Sequence, residues 1–210
     1  FECAPKSYLI GVLEVAANRQ ALADLENGAT GLHLVFAGAP GAYGFGLPAG
    51  REALEQTLEG VALDVGLPIE LDLGPQTQDS AKHLAGLIAA ANGDAANVAF
   101  GHDPVGLMAL TGGAQPDLAD AAKRALALPG RALVADGRAV NGAGGSEAQE
   151  LGFVLASASN PQIRAASGAQ DAASSATTAA ASGYCLSRTR MSARRTFWSD
   201  RKSTRLNSSH

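Results

Sequence analysis

The sequence is poor in cysteine, aromatic residues and charge. It has two cysteines, Cys3 and Cys185, one near each end, and this number excludes a disulfide framework or a zinc site. With 5% aromatic and 17% charged residues against 46% hydrophobic ones, the composition favours a folded chain, because disordered chains combine low hydrophobicity with high net charge. No hydrophobic run approaches the ~20 residues of a membrane span, and the first residues show no signal-peptide cleavage pattern. We therefore predict one cytoplasmic domain.

Charge is unevenly distributed along the chain. Residues 1–156 hold 8 Lys/Arg against 18 Asp/Glu, a net charge of −10, whereas residues 157–210 hold 8 against 2, a net charge of +6. A basic tail of this kind could bind nucleic acid. The sequence of this tail, however, favours its interpretation as a sequencing artefact.

The basic tail has the composition of a sequencing artefact. Residues 200–210, DRKSTRLNSSH, back-translate codon by codon into a common short-read sequencing adapter. Between Ala165 and Gly183, 13 of 19 residues are Ala or Ser, and an Arg- and Ser-rich stretch follows, as expected of GC-rich coding DNA read out of frame. We predict that residues 157–199 are a low-complexity, frameshifted tail, that 200–210 are a translated adapter, and that the protein binds neither nucleic acid nor membrane. Residues 1–13 are a weaker candidate for the same kind of error.

Residues 1–156 alternate between helix-like and strand-like patterns. Apolar residues at helical spacing predict helices at Val15–Asn27, Arg51–Val65, Thr77–Ala91, Pro116–Leu128 and Ser146–Ala156. Short apolar or alternating runs predict strands at Leu32–Phe36, Pro68–Leu73, Asn97–Phe100 and Ala132–Ala135. Ser146 and Gln149 have the spacing of a capping box.

Four strand–helix units in strict alternation predict an α/β fold with a parallel sheet. Right-handed crossovers leave two closures open, a doubly wound sheet or part of a (β/α)8 barrel. A whole barrel typically needs ~250 residues, so four units would form about half of one. The pattern alone does not choose between them.

Polar residues follow the predicted strands. His102 and Asp103 lie at the end of the third strand, Asp136 follows the fourth, and Asp72 lies at the end of the second. Barrel enzymes place their chemistry on this face. A His with several carboxylates could bind a metal, but the spacing does not require one, and we predict none. The glycine-rich loop Gly38–Gly46 lacks the Gly-Lys-Ser/Thr ending of a phosphate loop and the spacing of a dinucleotide fingerprint, which favours a plain loop at the top of a barrel.

Four long stretches carry a resemblance to a known family. They are ALADLENGATGLHLVFAGAPGAYGFGLP (21–48), IELDLGPQ (69–76), FGHDPVGLMAL (100–110) and VADGRAVNGAGGSEAQELGFVLA (134–156). Together they resemble the N-terminal domain of methylmalonyl-CoA mutase small subunits. The resemblance implies a partial (β/α)8 barrel of about four β/α units in residues 1–156. It also implies a fragment of an isomerase of propionate metabolism, which interconverts methylmalonyl-CoA and succinyl-CoA through radicals.

The resemblance further implies a non-catalytic subunit. Small subunits of this family pair as heterodimers with a large subunit that carries out the chemistry with adenosylcobalamin. The cobalamin-binding pattern Asp-x-His-x-x-Gly is absent from this chain, so we predict that the chain itself binds no cofactor. The stretch Arg138–Gly145 lacks the histidine by which the large subunit contacts the substrate carbonyl, and of Ala99–Asp103 only Asp103 matches the large subunit's pattern.

The resemblance and the strand ends together give a set of candidate substrate-binding residues and no catalytic residue. The set is Tyr43, His102, Asp103, Asp136 and Asn141. Tyr43 falls close to the place of a tyrosine that covers the substrate in the family. Acyl-CoA is thus a candidate ligand. The alternative is an autonomous acyl-CoA-binding barrel domain or enzyme that uses Asp103, Asp136 and Tyr43.

Overall fold

A computed structural model describes residues 7–9, 14–166 and 189–190. In chain order its elements are β1 (Ser7–Leu9), α1 (Glu14–Glu26), β2 (Leu32–Val35), α2 (Arg51–Thr57), β3 (Ile69–Asp72), α3 (Ser80–Ala90), β4 (Ala99–His102), α4 (Pro104–Thr111), α5 (Leu118–Leu126), β5 (Arg131–Leu133), β6 (Ala135–Asp136), α6 (Arg138–Gly142), α7 (Glu147–Ser159) and β7 (Thr189–Arg190). The adapter-like segment 200–210 and most of residues 1–13 lie outside the described residues.

The main sheet has five parallel strands in the order β1-β2-β3-β4-β5, which is also their order in the chain. His33 of β2 pairs with Glu70 of β3, and Val35 pairs with Asp72. The short strand β6 directly follows β5 and pairs in parallel with β7 in a second, two-stranded sheet. The predicted α/β fold with a parallel sheet is confirmed.

The hydrophobic core lies on one face of this sheet. Leu32 and Leu34 of β2 and Ile69 and Leu71 of β3 belong to one buried cluster. Four helices contribute to the same cluster through Ala17 and Ala21 (α1), Leu54 (α2), Ala81, Leu84 and Ile88 (α3) and Ala125 (α5). Helix α1 contacts α2, and α2 contacts α3, so these helices lie in a row. Because successive strand residues point to opposite faces, His33, Val35, Glu70 and Asp72 lie on the other face, where they too are buried.

Most predicted elements occur within a few residues of their predicted ends, but α2 is shorter than predicted. It ends at Thr57, because Gly60 adopts a left-handed conformation with φ of 75°. Val65, predicted on the buried helical face, is 69% exposed. The two short helices α4 and α6 were not predicted. The capping box is confirmed: Ser146 Oγ accepts a bond from Gln149 N, and Gln149 Oε1 accepts one from Ser146 N at 2.8 Å.

The C-terminal helix extends beyond the domain boundary predicted after Ala156. Helix α7 runs to Ser159, a helical segment follows at 161–166, and Ile163 and Ala166 are buried in the core. Residues 157–159 and 161–166 are therefore helical on either side of Asn160, and Ser157, Ile163 and Ala166 are buried. The rest of the predicted low-complexity tail, apart from β7, lies outside the described residues, and the frameshift stays a prediction.

Candidate site at the carboxyl ends of the strands

Three carboxylates meet where the parallel strands end. Asp72 ends β3, Asp103 follows β4 and Asp136 ends β6. The carboxyl ends of parallel strands lie at one edge of a sheet, where α/β proteins commonly bind ligands. Asp72 and Asp136 are only 3% and 5% exposed. Buried carboxylates require partners, because an unpaired charge away from water is costly.

Arg138, the first residue of α6, is that partner for two of them. Its Nη2 donates to Asp72 Oδ1 at 2.8 Å, and its Nη1 lies 2.8 Å from Asp72 Oδ2. Its Nε donates to both oxygens of Asp136 at 3.0 and 2.9 Å, and its Nη2 also contacts Asp136 Oδ2. Such forked arginine–carboxylate bonds are strong and directional. Although burial lowers the pKa of the Arg138 guanidinium, the hydrogen bonds to Asp136 and Asp72 raise it overall above its ordinary value.

Asp103 is held by backbone groups instead. Its Oδ1 accepts from Gly106 N at 2.8 Å and so caps α4, while its Oδ2 accepts from Asp136 N at 2.7 Å. Burial of the carboxyl group raises the pKa of Asp103 to about 7, against the lowering effect of the N–H groups of Gly106, Asp136 and Val105. Both oxygens thus tie β4 to α4 and β6.

The glycine-rich loop after β2 closes over the ion pairs. A Cβ atom on Gly41 would lie 2.6 Å from Asp72 Oδ2 and 2.7 Å from Arg138 Nη1, so a larger residue here would have to displace these two side chains. On the sheet face below, His33 Nδ1 lies 3.4 Å from Glu70 Oε2, and its Nε2 lies 4.0 Å from Asp72 Oδ2. A continuous row of ionisable groups therefore lines this face and its upper edge.

The open space at this edge is small. A pocket of about 20 Å³ is lined by Asp72, Asp103 and Asp136, with Pro40, Leu73, Gln78, Gly101, Gly106, Leu107, Leu110, Val134 and Ala139 around them. This volume holds one or two water molecules. This pocket by itself is too small for a ligand of substrate size.

His102 lies in a different cavity from Asp103, although the two are adjacent in sequence. Its Nδ1 is 2.8 Å from Gln78 Oε1; an amide oxygen can only accept, so Nδ1 carries the proton. The cavity around it has a volume of about 360 Å³ and is also lined by Lys82 and Arg124. Burial, and then the charges of Arg124 and Lys82, lower the pKa of His102 to about 4. The imidazole is therefore neutral at pH 7.

The other two candidates lie apart from these cavities. Asn141 Nδ2 donates to Glu150 Oε2 at 3.1 Å and so joins α6 to α7. Tyr43 sits in the glycine-rich loop with φ of 49° and a side chain that is 83% exposed. Of the five candidate residues, the structure therefore brings only Asp103 and Asp136 into direct contact. Their role in substrate binding stays a prediction.

Two residues at the site were missed in the sequence. Arg138 and Gln78 were assigned no role, yet they bind Asp72, Asp136 and His102. Arg138 could have been noticed as a cation two residues after a strand-end carboxylate in an acidic part of the chain. Gln78 has no comparable signal.

Within the described ranges, no group of three or more His, Cys, Asp or Glu residues is placed to hold a metal ion. Nor is any helix of the described part of the chain long and apolar enough to cross a membrane.

Comparison with known proteins gives a partial match. No family model matches the chain. Over 146 residues, 66% of the chain, it is 40% identical to the methylmalonyl-CoA mutase small subunit of Streptomyces virginiae. The resemblance to this family is thereby confirmed. The match covers 22% of the relative, so the chain spans about a fifth of the length of the small subunit that it resembles.

Proposed function

We propose that this chain is part of a methylmalonyl-CoA mutase small subunit and acts as a non-catalytic partner of a cobalamin-dependent large subunit. The 40% identity over 146 residues to a small subunit is the observation that carries the proposal. The parent complex would interconvert methylmalonyl-CoA and succinyl-CoA.

The proposed architecture is part of a (β/α)8 barrel in residues 1–156, followed by a frameshifted tail and a translated adapter. Doubly wound sheets reverse their strand order at a switch point and carry helices on both faces. Barrel strands follow chain order, and the helices form an outer ring. The order β1-β2-β3-β4-β5 and the row of helices on one face support the barrel.

The polar groups at the strand ends support a non-catalytic role. Acyl-group chemistry needs donors that point at the substrate carbonyl in a prepared pocket. Here the Arg138 donors are turned onto Asp72 and Asp136, and both Asp103 oxygens accept backbone bonds. The same contacts disfavour the alternative, an autonomous acyl-CoA-binding barrel that uses Asp103, Asp136 and the exposed Tyr43.

Adenosylcobalamin enters the proposal only through the large subunit. His102, which lines the larger cavity, is already bonded to Gln78 through Nδ1, and the Asp-x-His-x-x-Gly pattern is missing from the sequence. These residues do not fit a cobalamin site.

Two experiments separate the proposal from its rival. An affinity-tagged chain co-expressed with a mutase large subunit should retain that subunit on the affinity column, while an unrelated tagged barrel of similar size should not. Calorimetric titration of the chain alone with methylmalonyl-CoA should give no saturable heat. Micromolar binding of methylmalonyl-CoA together with failure to retain the large subunit would favour the autonomous domain instead.

A further inference from the structure

The larger cavity, here called the helix-side cleft, lies beyond the end of β4 between α3, α4 and α5. Its volume is about 360 Å³, within the range of about 300–1,000 Å³ typical of small-molecule sites. It adjoins the small pocket at the carboxylate edge, with which it shares the wall residues Gln78 and Leu107, but none of Asp72, Asp103 and Asp136 lines it. Nothing in the proposed mutase role uses it.

The walls of the cleft combine an apolar lining with polar groups. The apolar residues come from α4, α5 and nearby loops: Pro75, Pro104, Leu107, Pro116, Ala121 and Leu128. The polar residues are Gln78, Asp79, Lys82, His102 and Arg124. A ligand that fills the cleft would therefore need both an apolar body and a polar group.

Two cations from different helices line this cleft. Lys82 belongs to α3 and Arg124 to α5; both lower the pKa of His102 electrostatically, while Asp79, which also lines the cleft, raises it. Each forms an exposed pair with a carboxylate on its own side of the cleft: Lys82 Nζ with Asp79 at 3.5 Å, and Arg124 Nη2 with Asp120 at 3.1 Å. Exposed pairs of this kind contribute little, so an incoming anion can compete for either cation.

We propose that the helix-side cleft binds a small carboxylate with an alkyl chain, its carboxylate between Lys82 and Arg124 and its chain against Leu107 and Leu128. With Lys82 and Arg124 against one carboxylate, Asp79, the charged groups that line the cleft carry a net positive charge, which favours an anion. The apolar walls favour a ligand with an alkyl chain over a fully hydrated ion such as inorganic phosphate. The inference rests on the geometry of the cleft and is independent of the proposed mutase function.

Binding of a carboxylate in the cleft can be measured through His102. The cations at the cleft contribute to the lowering of its pKa, so a carboxylate bound beside them should raise that pKa. The imidazole resonances of the full chain would be followed by NMR during titration with hexanoate. Three control compounds are used. Hexylamine has the same chain with the opposite charge, acetate is a carboxylate with a shorter chain, and inorganic phosphate is an anion without an apolar part.

The expected result is a saturable shift of the His102 resonances with hexanoate and a higher His102 pKa at saturation. Acetate and phosphate should bind at least about tenfold more weakly, because each buried methylene contributes roughly a factor of four. Hexylamine should give no saturable shift. Equal binding of hexanoate and hexylamine, equal binding of acetate and hexanoate, or no saturable shift at all would overturn the proposal.

A matched pair of variants tests whether Arg124 contributes to binding of the carboxylate. Arg124→Gln should weaken hexanoate binding by up to about fivefold, as expected for the loss of one ion pair at an exposed cation. Arg51→Gln removes the same charge from an equally exposed helical pair, Arg51 with Glu55, and should leave binding unchanged. Because both side chains are exposed, both variants should fold. Equal effects of the two substitutions would show that binding does not depend on the cleft.

Discussion

Replacing Arg138 with methionine should destabilise the fold strongly. Arg138 is the cation shared by two carboxylates whose side chains are 3% and 7% exposed. Removing one member of a buried ion pair leaves a buried charge without compensation, which costs about 3–5 kcal/mol. Whole domains have about 5–15 kcal/mol of stability, so Arg138→Met should remove a large part of it. With a urea dependence of about 1–3 kcal/mol/M, the midpoint should fall by at least about 1 M.

The assay is equilibrium unfolding in urea at pH 7, monitored by circular dichroism, with Arg51→Met as the control. Arg51 pairs with Glu55 in an exposed position, where an ion pair contributes about 0.2–1 kcal/mol. Adding Asp72→Asn to Arg138→Met should restore part of the lost stability, because it removes one of the stranded charges. Equal midpoints for Arg138→Met and Arg51→Met would refute the view that Arg138 holds this edge together.

Three further predictions concern pH, a tight turn and a helix cap. Asp103, with its pKa raised from 3.8 to about 7, binds its proton more tightly when folded, so its contribution to stability falls as pH rises through that window. His102, with its pKa lowered from 6.5 to about 4, has the opposite effect: its contribution to stability increases as pH rises from about 4 to 6.5. His102→Gln removes this contribution, so in urea unfolding the free energy of unfolding should fall more steeply from pH 5 to pH 7 in the variant than in the unmodified protein. Gly46→Ala should lower the free energy of unfolding by more than about 1 kcal/mol in the same assay, because φ is 116° and the new Cβ would lie 2.6 Å from backbone atoms. Gly142→Ala is the control: its Cβ would meet no atom within 4 Å, so it should not destabilise the protein. Ser146→Ala removes the cap of α7 and should lower the thermal midpoint by an amount equivalent to about 1 kcal/mol.

Much of the fold could be predicted from local patterns. The helices α1, α3, α5 and α7 carry apolar residues at helical spacing, and α7 also has its capping box. The pattern failed at the end of α2. Apolar residues at helical spacing continue past Leu54 and Leu58, but Gly60 adopts a left-handed conformation that does not continue the helix. Helix α4 was missed because it is short and carries no clear period, although Asp103 before Pro104 is a typical start signal.

The site was predicted in part, for a physical reason. Carboxylates after parallel strands must meet at one edge, and Asp72, Asp103 and Asp136 do. Arg138, the partner of Asp72 and Asp136, is 66 residues from Asp72, and no local pattern encodes its pairing with Asp72. His102 and Asp103 were grouped because they are neighbours in sequence, but successive residues at a strand end point in different directions.

The most direct test of the central claim is long-read sequencing of the source locus across codons 150–210 and onward. We expect the verified reading frame to continue beyond about codon 157 into the remaining strands and helices of a barrel, beside a gene for a mutase large subunit. A verified frame that encodes residues 157–210 as given, with no large-subunit gene nearby, would contradict it.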